Sequence, residues 1–144
     1  MHGKISFFNE GINYNLQGKT KIKHWVISVI TKEVKYPGDI NFIFCDDAYL
    51  SDLNISYLNH DTLTDIITFD YTADAIISGD IYISIERVKE NALQYSKTFS
   101  DELNRVMIHG ILHLLGNKDK KPKDKALMRS KEDESLLLLQ SLAQ

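Results

Sequence analysis

His109-Gly110-Ile111-Leu112-His113-Leu114-Leu115-Gly116 is the stretch that decides how this chain is read, with Asp119 close behind it. On an α-helix, positions four apart lie about 40° apart around the axis and about 6 Å apart along it, so both imidazoles can reach one ion. Gly116 supplies the left-handed residue that ends a helix, and a chain turning there can carry Asp119 back over the histidines. Two imidazoles and a carboxylate, with a position left for water, form the donor set of a catalytic rather than a closed structural metal site. The alternative is a solvated histidine pair that binds nothing. Gly110 weighs against it, because glycine inside a helix costs about 1 kcal/mol relative to alanine and needs an offsetting reason. Close approach of a substrate or of neighbouring backbone would be such a reason.

The helix bearing the pair is predicted over residues 101–115, with Ser100 as N-cap and Asp101 and Glu102 placing negative charge in the first turn. Projected at about 100° per residue, Leu103, Met107, Ile108, Ile111, Leu112, Leu114 and Leu115 fill about half the circumference and must pack into a core. His109 and His113 fall on the other half, with Glu102, Arg105, Val106 and Gly110. That side is expected to face a cleft or an adjacent element.

Working outward, strands are predicted over residues 5–8, 40–45, 64–70 and 79–84. The run Ile40-Asn41-Phe42-Ile43-Phe44-Cys45 is apolar enough for a central strand buried on both faces. Helices are predicted over 21–35, from Asp46 to about 58 with Leu50, Leu53 and Tyr57 inward, and over 86–97 behind a Ser84 cap. Pro37-Gly38 punctuates the chain ahead of the central strand. Ser130-Lys131-Glu132-Asp133 reads as a capping box, with Asp in place of Glu or Gln, opening a last helix that runs through Leu136 to Leu142. Alternating strands and helices with late helices imply an α/β or α+β domain around a small mixed sheet.

The chain of 144 residues is most simply one domain, and its 43% hydrophobic and 26% charged residues are ordinary for a soluble globular protein. Cys45 is the sole cysteine, so no intramolecular disulfide forms, and its place at the end of an apolar run makes it packed rather than reactive. The N-terminus lacks the apolar core of a signal peptide, and no segment approaches the roughly 18 apolar residues of a membrane span, so a cytoplasmic protein is expected. A formal charge of −3 argues against indiscriminate coating of nucleic acid. It leaves room for a local basic surface, because Lys118, Lys120, Lys121, Lys123 and Lys125 crowd around Asp119, offset by Asp119 itself and Asp124. If Asp119 binds a metal, that patch becomes more positive. Its other reading is a solvated loop.

The histidine stretch closely resembles the signature of YbeY-type proteins, bacterial rRNA maturation factors described as metal-dependent endoribonucleases. Leu53-Asn54, Tyr57, Asp61 and Thr64-Asp65-Ile66-Ile67-Thr68-Phe69 resemble the family's upstream block, and Gly79-Asp80-Ile81-Tyr82-Ile83-Ser84 its next strand. The resemblance implies an α+β fold: a small mixed four-stranded sheet packed with about five helices, with the metal site on a late helix. It implies a single-strand-specific endoribonuclease acting in 16S rRNA maturation and ribosome quality control. One Zn²⁺ per chain, or another divalent transition metal, would sit on His109, His113 and Asp119. The partners implied are an rRNA precursor and the small ribosomal subunit or its assembly factors, with no membrane and no DNA.

Two positions depart from the family pattern. Its usual third ligand is histidine where Asp119 stands here, and a carboxylate ligates zinc comparably. The arginine that usually follows the tyrosine of the upstream block, and acts on the RNA phosphate, is Leu58 here. Leucine cannot take that role, and Lys118 or a neighbouring lysine is the candidate substitute.

Cleavage of RNA on such a site needs an acidified water, stabilisation of the developing charge and a proton for the leaving oxygen. The candidates for these tasks are Lys118, with the lysine run binding RNA, and Asp65 or Asp80, orienting substrate or a ligand's second ring nitrogen. For both aspartates the alternative is capping or turn formation at strand ends. His60 belongs near the site by the resemblance, whereas His2 and His24 read as surface positions. A zinc peptidase would carry glutamate directly after the first histidine, and Gly110 stands there instead. An iron oxygenase shares the donor set, but nothing else in the chain marks a cosubstrate site. A non-catalytic ribosome-maturation factor with a structural metal is the remaining rival, kept open by Leu58.

Overall fold

The computed structural model describes residues 3–58 and 64–142, so His2, His60 and Asp61 lie outside the described residues. The elements are β1 (Ile5–Glu10), α1 (Lys19–Lys32), β2 (Tyr36–Cys45), α2 (Asp47–Leu58), β3 (Ile66–Asp70), β4 (Ile76–Ser84), α3 (Ile85–Gln94), α4 (Phe99–Leu114) and α5 (Pro122–Ser141). The four strands form one mixed sheet in the order β1-β2-β4-β3. β1, β2 and β4 run parallel, while β3 returns antiparallel along β4. This is the expected α+β fold.

β2 is central because both its faces find cover. Ile40, Phe42 and Phe44 point into the main core, opposite Gly79, Ile81 and Ile83 of β4. Cys45 points the other way, into a smaller cluster with Leu50 of α2 and Ile67 of β3. Helices α1, α4 and α5 thus lie on one side of the sheet and α2 on the other. Trp25 of α1 is fully buried, and its indole N–H donates to the Ser135 carbonyl at 2.7 Å, tying α1 to α5. Among the described residues, no helix is long and apolar enough to cross a membrane.

Several boundaries differ from expectation. Pro37 and Gly38 lie inside β2 rather than ahead of it, because a register shift between Pro37 and Ile40 absorbs the residues that cannot keep the ladder. α4 starts earlier than read: the Thr98 hydroxyl, not Ser100, caps it by accepting from the Asp101 N–H at 3.1 Å. The capping box does not exist, since α5 begins at Pro122 and passes through Ser130 in mid-helix. Proline at the first helical turn is a start signal that the lysine-rich composition concealed. Tyr57 is exposed rather than inward, and Asn54 takes the buried position on α2.

α4 is also buried over more of its surface than half. Glu102, Val106 and Gly110, placed by projection on the histidine side, are all buried. Gly110 explains why: a Cβ there would sit 2.9 Å from Ile81 Cγ2 and 3.1 Å from Ile66 Cδ1. The helix approaches the sheet too closely for any side chain, so the reason for this glycine is a neighbouring side chain, not a substrate. Gly110→Ala is expected to destabilise the fold by about 1 kcal/mol net in urea denaturation, overpacking of about 1–3 kcal/mol outweighing alanine's helix preference. A variant as stable as the parent would show that α4 is not held at this distance.

Candidate metal centre

The turn that builds the site is set by Gly116, at φ 98°. Its N–H bonds the His113 carbonyl at 2.9 Å and the Asn117 N–H bonds the Leu112 carbonyl at 3.0 Å. This pair is the Schellman motif, which closes a helix and reverses the chain. The Asn117 side chain adds a second bond to Leu112 O at 3.0 Å. The chain therefore folds back, and Asp119 Oδ2 arrives 3.2 Å from His109 Nε2 and 3.2 Å from His113 Nε2.

All three donor atoms lie within 4.8 Å of one another. Zinc ligands bound at about 2.0–2.1 Å stand about 3.3 Å from one another, a spacing that the two distances from Asp119 Oδ2 match. The two rings stand at 75° with centroids 4.6 Å apart, edge to face rather than stacked. The donors are partly exposed and line a cleft of about 710 Å³ between α4, α2 and the β3 region. Open access on one side is what a substrate site needs and a closed structural site lacks.

The second nitrogen of His109 is engaged by a residue that sequence reasoning missed. His109 Nδ1 lies 2.6 Å from Glu132 Oε2, and Glu132 is 4% exposed on α5. A carboxylate there favours a proton on Nδ1, which leaves Nε2 as the nitrogen that an ion in the cleft would take. Arg105 holds the acid in turn, donating to Glu132 Oε1 at 2.8 Å and to Asp133 Oδ1 at 2.6 Å. Burial alone would push the His109 pKa down, but the hydrogen bond and charge of Glu132, with Asp119 and Asp65, carry it above its ordinary value. Burial likewise works to raise the Glu132 pKa, and the bonds from His109 and Arg105 hold it below the usual glutamate value. The available signal was an acid at a core position: Met128, Glu132, Ser135 and Leu139 form the buried stripe of α5.

The remaining candidates separate. Asp65 lines the same cleft, but Asn91 Nδ2, not an imidazole, donates to its carboxylate at 3.2 Å. Burial raises its pKa. Asp80 does not reach the site at all. On β4, Ile81 and Ile83 face α4, so strand alternation turns Asp80 to the opposite sheet face, where Asn41 Nδ2 donates to it at 2.9 Å. Of the lysine run, Lys120 lines the cleft and Lys118 does not. Lys121 occupies the N-cap position of α5 without a side-chain cap bond, and Lys123 and Lys125 lie in its first turn, so these last are helical and not loop residues. Leu58 lines the cleft from the end of α2. His24 is exposed, and Cys45 is buried with its thiol pushed up to about 12 by that burial, an inert packing residue.

Glu132→Gln keeps the shape of the side chain and removes its charge. Metal affinity, read by competition with a chromophoric chelator, is expected to fall about 10- to 100-fold, as for other carboxylates that orient a ligating histidine. Unchanged affinity would mean that His109 needs no partner to present Nε2.

Comparison with known proteins agrees with this architecture. A family model described as Endoribonuclease YbeY matches residues 5–140. The Endoribonuclease YbeY of Flavobacterium psychrophilum is 57% identical over 131 residues, covering 91% of this chain and 94% of that protein. That of Christiangramia forsetii is 51% identical over 136 residues, covering 94% of each. A solution structure of a Thermotoga maritima protein superimposes with a TM-score of 0.65 at 29% identity, covering 94% of this chain and 89% of that one. With its four-stranded mixed sheet, its histidine helix and a match over nearly its whole length, the chain belongs to the YbeY endoribonuclease family.

Proposed function

We propose that residues 1–144 act as a single-domain, zinc-dependent endoribonuclease, hydrolysing phosphodiester bonds of single-stranded RNA during 16S rRNA maturation and ribosome quality control. The observation that carries the reading is the single Asp119 oxygen lying 3.2 Å from two imidazole nitrogens at a solvent-facing cleft. Curated relatives that share half or more of this sequence are named as endoribonucleases, which supports RNA as the substrate. On this reading the protein works in the cytoplasm, on an rRNA precursor, beside the small ribosomal subunit or its assembly factors.

His109, His113 and Asp119 would hold the ion, and Glu132 would keep the His109 proton on Nδ1, away from it. A divalent cation held there supplies Lewis-acid polarisation of a phosphoryl oxygen and lowers the pKa of water toward 7. Asp65, at the cleft wall, is placed to orient a substrate hydroxyl or water. The lysines from 118 to 125 supply positive charge along the approach of the strand, which raises encounter rates and makes binding fall with salt.

Peptide hydrolysis is disfavoured on two grounds. The position after the first histidine carries no base, and its contact with Ile81 leaves no room for one. A purely structural metal is disfavoured by the partial exposure of all three donors.

Purified, zinc-loaded protein is expected to cut a defined single-stranded RNA carrying a 16S precursor sequence, and folded His113→Ala is expected to lose at least about 100-fold in rate. A 2′-deoxy residue at the cut linkage should still be hydrolysed if water is the nucleophile, and should block cleavage if the ribose hydroxyl attacks. Metal-replete protein that binds this RNA and never cuts it would make the chain a binding factor.

A further inference from the structure

Charge in the metal cleft is unevenly distributed. Its walls carry three carboxylates, Asp65, Asp70 and Asp119, and among the described residues a single cationic side chain of the lysine or arginine kind, Lys120. Two charges on a bound ion cannot by themselves offset three carboxylates, so the loaded cleft without Lys120 would still repel a phosphodiester. With Lys120 the balance reaches neutrality. Leu58, at the end of α2, lines the same cleft, apolar and 40% exposed, a position from which a longer cationic side chain could enter this space.

We infer that Lys120 is the phosphate-binding residue of this site, holding the scissile phosphate against the ion from the Asp119 side. The assignment rests on the nuclease reading above and deepens it. Lys120 directly follows a metal ligand, so its backbone is fixed by the same reversal that places Asp119. Its four neighbours in the lysine run are not on the cleft wall. An ammonium is a point charge rather than a planar fork, so this contact neutralises a phosphate without fixing its orientation. Orientation is then left to the ion and to Asp65. Substrate choice should accordingly depend little on base identity at the cut and strongly on ionic strength.

The test pairs cleavage with binding of an RNA made resistant by a non-hydrolysable phosphate analogue at the cut linkage, using zinc-loaded protein throughout. Lys120→Ala is expected to lower kcat/KM about 100-fold. It should also reduce the salt dependence of binding by about one phosphate contact, a slope change of about 0.7 for a single strand. Lys120→Arg should retain the slope, and Leu58→Arg placed in the Lys120→Ala protein should recover it together with part of the rate. The inference is overturned if Lys120→Ala leaves both slope and kcat/KM unchanged, or if Leu58→Arg recovers neither. Should wild type bind the RNA but cut none, the nuclease reading fails, while the salt slope still decides whether Lys120 meets a phosphate.

Discussion

α4 must bury almost its entire circumference and still present two imidazoles to solvent, and most features of this molecule follow from that requirement. The helix lies against β3 and β4 so closely that Gly110 has no room for a Cβ beside Ile81 and Ile66. α3 and α5 pack against the helix as well, and Leu103, Met107, Ile108 and Ile111 are almost completely removed from water. At about 1.5–3 kcal/mol for each large apolar side chain, this burial fixes the rotation of the helix about its axis. Fixed rotation is what aims His109 and His113 at the cleft. Short-range geometry then finishes the site, because the Gly116 reversal delivers Asp119 without a long loop to order.

His109 is held from both ends. Asp119 faces Nε2 and Glu132 faces Nδ1, so the ring has one orientation before any ligand arrives. Glu132 is a buried acid, and such a group is tolerable only when its lone pairs are engaged; His109 and Arg105 engage both oxygens. This network adds little net stability once the cost of desolvating its charges is counted. Its contribution is orientation. Asp119 and Glu132, which draw a proton to His109 against the effect of burial, attract a cation at Nε2 equally well, so metal and proton compete for this ring.

Much of this was legible in the chain itself. The paired histidines, the helix-ending glycine and the following acid are local features, and local geometry needs no tertiary information. The central strand declared itself because Ile40, Phe42, Ile43, Phe44 and Cys45, with Asn41 as the one polar residue among them, leave no polar face to put outside. Glu132 was not legible as part of the site, since its partner lies 23 residues away and its helix start was misread at Ser130. Asp80 was misplaced for a different reason. Strand alternation says which residues share a face, but not which face the histidine helix will cover. Lys118 and Lys120 are indistinguishable by composition, and only the path of the chain after Gly116 decides which of them lines the cleft.

The central claim is that two imidazoles and one carboxylate meet at one cation. X-ray absorption at the zinc edge of stoichiometrically loaded protein measures this directly. The account expects about four nitrogen or oxygen neighbours at about 2.0–2.1 Å, with the outer-shell scattering of two imidazole rings. One ring or none, or a sulfur neighbour at about 2.3 Å, would contradict it.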